Sequence, residues 1–155
     1  MGGKLVEITA EAEVQAVEEA LVQAKQSGLG GVHTHLDEAL KKLSEKPEPD
    51  YRNAIKEAIS AVESAARVIS KKEKATLDDA LITVGQASPI HGALVEAFRK
   101  LYGFTSDEKG IRHSLLDQSA TFDIEDARFF VVACSAFVNL LIVKADKAGV
   151  FKTRT

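Results

Sequence analysis

The sequence has little of what marks a specialised fold: among its 155 residues are one cysteine, three prolines and no tryptophan. A single cysteine excludes a disulfide framework and a cysteine-rich zinc module. Three prolines and ten glycines exclude collagen-like and low-complexity classes. There is no excess of positive charge either, because 20 Lys and Arg stand against 23 Asp and Glu, a net charge of −3. Proteins that coat nucleic acid are usually basic, so any contact with RNA here needs a local patch. The opening MGGKLVEITAEAEV lacks a long apolar stretch, which excludes a secretory signal. It also lacks the Ser or Thr near position 6 that myristoylation needs.

The longest apolar run, Phe129 to Val143, is interrupted by Ser135 and Asn139 and bracketed by Arg128 and Lys144. A membrane span needs about 20 residues, so this run reads as a buried core helix. No membrane partner is expected, and the expected compartment is the cytoplasm. The phosphate loop GxxxxGK[ST], a strand-to-helix GxGxxG and the metalloprotease HExxH are all missing.

What is present is 45% hydrophobic residues, enough for one core in a chain of this length. They recur with helical period almost throughout. Val14, Val17, Leu21 and Ala24 share one helix face, and Gly28-Leu29-Gly30-Gly31 ends that helix. Val32, Leu36, Ala39, Leu40 and Leu43 form a second stripe, which the segment Lys46 to Asp50 breaks. Asp50 is placed to cap a third helix carrying Ile55, Ile59, Val62, Ala66 and Ile69. Thr76 and Asp79 are spaced as a capping box for a short helix with Leu77, Leu81 and Val84. Gly85 to Ser88 reads as a loop, and Ser88-Pro89 as the start of a helix lined by Ile90, Leu94, Ala97, Phe98 and Leu101. Thr105 or Ser106 opens another short helix with Ile111, Leu115 and Leu116. Asp123 then starts a long helix from Ile124 to about Lys147, apolar almost all round and therefore central. No strand pattern is convincing. The expected architecture is an all-α, up-and-down bundle of six to seven helices with a long central C-terminal helix. Residues 1–31 form an N-terminal helix, either an arm or packed on the core. Residues 32–147 form the bundle, and 148–155 a disordered tail.

Few residues suggest chemistry. His33 and His35 are about 200° apart on a helix and cannot chelate one ion from a regular turn, so they read as exposed helix residues and no metal or cofactor is expected. Cys134 lies in an apolar stretch and keeps its proton. The most polar stretch runs from Tyr102 to Asp117. Within it Arg112 and His113 are about 100° apart, and Asp117 is four residues after His113 on the same face. A histidine can move a proton near neutral pH, an arginine can clamp phosphate, and the carboxylate can orient the ring. Arg112, His113 and Asp117 are thus the candidate catalytic set. Arg52, Asn53 and Asp107 are the candidate substrate-binding residues. The same residues would serve equally as a polar network fastening helices together.

Several segments, in this order, resemble one family. They are His35 to Leu40, Asp50 to Glu63, Lys100 to Asp107, Gly110 to Asp117 and Ala133 to Asn139. Together they resemble the C-terminal helical domain of AbiJ-type abortive-infection proteins, a bacterial anti-phage group in the HEPN superfamily, over roughly Val32 to Lys144. The resemblance implies a HEPN-like bundle, a homodimer, and binding of RNA or a nucleotide, with metal-independent RNA cleavage in active members. It also implies a fused or separate defence-protein domain as partner. Active members carry Arg, then four to six residues, then His. None of the six arginines here has that spacing, and Arg112 and His113 are adjacent instead. The alternative is a non-catalytic dimerisation or protein-interaction module.

Overall fold

The computed structural model describes residues 11–87, 90–94, 96–97, 99–100 and 122–151. Among these residues there is no strand, and the chain is an all-α bundle. Five helices are defined among them: α1 (Glu11–Gln26), α2 (Gly30–Leu43), α3 (Tyr51–Ser70), α4 (Leu77–Ala87) and α5 (Ile124–Lys147). Residues 92–94, 96–97 and 99–100 are also helical.

Local chemistry sets the helix ends. Gly28 takes the left-handed conformation at φ 72°. This lets Leu29 N–H reach Ala24 C=O at 2.7 Å and Gly28 N–H reach Lys25 C=O at 3.4 Å, so two end carbonyls of α1 are satisfied. The same closure ends α5, where Gly149 has φ 75° and Val150 N–H donates to Ala145 C=O at 3.0 Å. The Asp50 carboxylate caps α3 by accepting from Asn53 N–H at 3.1 Å. Thr76 and Asp79 form the expected reciprocal box, with Thr76 N–H on Asp79 Oδ2 at 2.8 Å and Asp79 N–H on Thr76 Oγ1 at 3.3 Å. Asp123 and Asp126 form another at the start of α5. That box fixes where the long helix begins.

α5 lies against α1, α2, α3 and α4, the central position its composition suggests. Its inner side buries Ala127, Phe130, Val131, Cys134, Phe137, Val138, Leu141, Ile142 and Ala145. α3 buries Ile55, Ile59, Val62, Ala66 and Ile69 as expected, with Ala54, Ala58, Ala61 and Ala65 between them. α1 packs on the bundle through Val17, Ala20 and Ala24, which decides between the two placements of the N-terminal helix.

Three expectations are corrected. α4 continues through Gly85 to Ala87; an interior glycine costs a helix only about 1 kcal/mol. Leu94 and Ala97, read as lining a helix, are exposed, because a periodic stripe is buried only where a neighbouring element meets it. Residues 148–151, read as the start of a disordered tail, close α5 and lay Val150 and Phe151 against the core. The Ser88-Pro89 start signal and the helix carrying Ile111, Leu115 and Leu116 lie outside the described residues.

α3 ends on Lys71 in the left-handed region at φ 57°, where a Cβ costs about 1 kcal/mol. Lys71→Gly should therefore raise the stability measured by urea unfolding by up to about 1 kcal/mol. Gly85→Ala should do the same, since nothing lies within 4 Å of the added methyl. Gly28→Ala should lower stability by about 1 kcal/mol. The Lys72 ammonium, with Thr76 N–H and hydroxyl, pulls the Asp79 carboxyl down from 3.8 to about 2. A carboxyl depressed on folding stabilises above its unfolded value and stops doing so as pH falls through its folded value. The stability gap between wild type and Asp79→Asn should therefore be full at neutral pH, shrink below about pH 4 and close near pH 2.

Candidate functional site

The residues singled out as a catalytic set, Arg112, His113 and Asp117, lie outside the described residues, as does Asp107. Arg52 and Asn53 stand in the first turn of α3. The Asn53 amide donates to Asp50 Oδ2 at 2.6 Å, so this side chain serves the start of its own helix. The Arg52 guanidinium lies over the Phe122 ring, 5.8 Å from its centroid, within range of a cation–π attraction. That contact ties the start of α3 to the residue preceding the α5 cap.

His35 is not the exposed helix residue that its spacing suggested. Its Nδ1 is 2.7 Å from Glu57 Oε2, joining α2 to α3 at a half-buried point. No sequence signal carries this pair, because the partners belong to different helices. Just along the same interface a Cβ on Gly31 would collide with Ser64 Oγ, so glycine there permits close approach of α2 to α3. Cys134 is enclosed by apolar neighbours, and burial pushes its thiol up to about 12, where it cannot act as a nucleophile near neutral pH. Among the described residues no group of three or more His, Cys, Asp or Glu could hold a metal ion. An open trough of about 500 Å³ runs beside Gln15, Glu18, Glu19, Val22, Gln23 and Gln26 of α1. Among the described residues its lining offers carboxylates and amides but no nucleophile.

The surface that stands out is the outer side of α5. A helix advances about 100° per residue, so Phe129, Ala136 and Val143, seven residues apart, follow almost one line. Phe129 is 56% exposed and Val143 41%, and Ala136 is exposed between them. Val132, Ala133 and Leu140 flank the line and are half-buried. The stripe carries no charge from Phe129 to Val143. Beyond each end the same line continues into an exposed charge, Glu125 before and Lys147 after. At its edge Asn139 donates to Ala16 C=O at 2.9 Å, holding α1 against α5, and the Nε of Arg128 is buried with no acceptor among the described residues. An aliphatic central helix can supply a dimer seam, but its composition alone does not say which of its sides stays open. The available signal was the seven-residue spacing of Phe129, Ala136 and Val143, a helix-pairing interval.

α5 is also, by length and composition, the one described helix long and apolar enough to cross a membrane, and half of that apolar window is buried in the bundle.

Compared with protein-family models, curated proteins and solved structures, the chain matches none.

If the stripe is surface rather than scaffold, Phe129→Ser and Val143→Ser should each shift the unfolding free energy by less than about 1 kcal/mol. Leu141→Ala, on the buried side of the same helix, should cost about 2–5 kcal/mol. Chemical denaturation of the three variants tests the contrast.

Proposed function

We propose that the chain is a helical interaction module rather than an enzyme, and that it docks through the outer face of α5. The observation carrying this reading is the uncharged stripe of Phe129, Ala136 and Val143 left open along the outer face of α5. Large apolar side chains aligned on one helix face are costly to leave in water and mark contact surfaces more often than chance exposure does. The acidic balance, with Cys134 locked in the core, agrees with it. The resemblance to AbiJ-type proteins suggests that the module serves bacterial anti-phage defence.

A second reading, binding of RNA or a nucleotide near the start of α3, is favoured by the Arg52–Phe122 contact. That pair sets a cation, which can meet phosphate, against an aromatic ring, which can stack on a base. The resemblance to the HEPN superfamily supports the same ligand class.

A photo-crosslinking residue placed at position 136 should capture a polypeptide in the producing cell, while the same residue at the exposed position 56 of α3 should not. No capture at 136 would sink the interaction reading. Titration of labelled RNA at low salt tests the second. Binding that weakens in Arg52→Ala would support it, and absence of binding even at low salt would remove it.

A further inference from the structure

The charges around the α5 stripe are arranged as if to meet their own copy. About Ala136 as centre, Glu125 lies eleven residues before and Lys147 eleven residues after. Both fall within about 20° of the line through Ala136. On one flank, about 80° away, lie Asp126 and Lys144. On the other flank, at about the same angle, lie Arg128 and Asp146. Among the described residues none of Glu125, Arg128, Lys144, Asp146 and Lys147 forms an ion pair.

We infer that the outer face of α5 pairs with the same face of a second copy, the two helices antiparallel and crossing at Ala136. This rests on the reading of the chain as an interaction module and names its partner. A two-fold axis through the crossing point brings position 136 − n of one helix to the level of position 136 + n of the other, on the same flank. Glu125 then faces the second copy's Lys147, and Asp126 lies within about 3 Å of the level of Lys144. Arg128 lies within about 3 Å of the level of Asp146 on the other flank. Each contact occurs twice. Phe129 covers Val143 at both ends of the seam. Val132, Ala133 and Leu140 fill the space between, and the two Ala136 methyls allow the backbones to approach to about 8 Å. The antiparallel arrangement also opposes the two helix dipoles.

Charge excludes the other partners of similar shape. A parallel pair would set Glu125 against Glu125 and Lys147 against Lys147, and like charges across an interface are costly. Around the stripe the carboxylates of Glu125, Asp126 and Asp146 balance the cations Arg128, Lys144 and Lys147, so an anionic membrane surface gains no net attraction, where membrane-surface helices carry an excess of lysine and arginine.

Sedimentation of the full chain over a concentration series, followed by charge exchange, tests this. The wild type should form a reversible dimer. Glu125→Lys alone and Lys147→Glu alone should each weaken it about tenfold, and the double exchange should restore it. Ala136→Glu should give a folded monomer, with unchanged helical circular dichroism as the control for folding. Direction is read by cross-linking in a Cys134→Ser background. Phe129→Cys should not cross-link to itself, since two such positions would be about 21 Å apart along the seam. It should cross-link to Val143→Cys on a separately tagged copy. Self-cross-linking at 129 would overturn the antiparallel pairing. A wild type that stays monomeric, or a dimer indifferent to both single exchanges, would overturn the inference. The photo-crosslink at position 136 separates the two failures. Capture only of a different polypeptide defeats self-pairing and leaves the module reading, and no capture defeats both.

Discussion

Close approach between α3 and its neighbours is the contact on which the bundle depends, because α3 presents alanine where many core helices present leucine. Ala54, Ala58, Ala61, Ala65 and Ala66 are all buried, and Gly31 of α2 is small enough to meet Ser64 with no Cβ between them. Small residues let helices approach more closely, and more side chains on both sides then come within van der Waals range. The His35–Glu57 pair is possible for the same reason, since 2.7 Å between groups on two helices requires that α2 and α3 already be held close. The packing makes the polar contact, and the polar contact then selects one register along the interface.

A bundle built this way has limited capacity to cover its longest helix. α5 is 24 residues long and apolar on nearly every side, and the described helices packed against it meet only its inner side. The far side of α5 is left open at Phe129, Ala136 and Val143. In an interior helix of a larger protein a further layer would cover that side. The exposed stripe follows from the same composition that gives the close core, and is not a local irregularity.

Most of the fold was legible in the sequence. The apolar stripes of α2 and α3, the Asp50 and Asp123 caps, the Thr76–Asp79 box and the extent of α5 all follow from periodicity and from the chemistry of helix ends, which act over three or four residues. The reading failed where the outcome depends on something distant. Gly85 looks like a break when only local propensity is counted, yet it lies within a helix whose first half is anchored in the core by Ala80 and Leu81. His35 looks exposed until α3 is beside it. Val150 and Phe151 look like a tail until the Gly149 turn returns them to the core. The candidate surface was half legible. The run Phe129 to Val143 is conspicuous, but periodicity alone cannot divide a helix that is apolar all round into a side facing the core and a side facing out. That division is set by which neighbours exist.

The charges at the two ends of α5 act at more than one level. Asp123 and Asp126 close the capping box, and Glu125 and Asp126 place negative charge at the positive end of the helix dipole, while Lys144 and Lys147 complement the negative end. These placements are favourable for an isolated helix, so selection for helix stability alone would produce an acidic start and a basic end. Any helix so built is electrostatically complementary to an antiparallel copy of itself. What converts that general tendency into recognition is the uncharged interval between the ends. From Phe129 to Val143 nothing on the outer face needs water, so desolvating it carries little electrostatic cost, and the charges lie where they can remain partly hydrated at the rim. Exposed ion pairs contribute little to affinity. Their contribution here is to direction and register, with apolar contact along the stripe supplying the attraction.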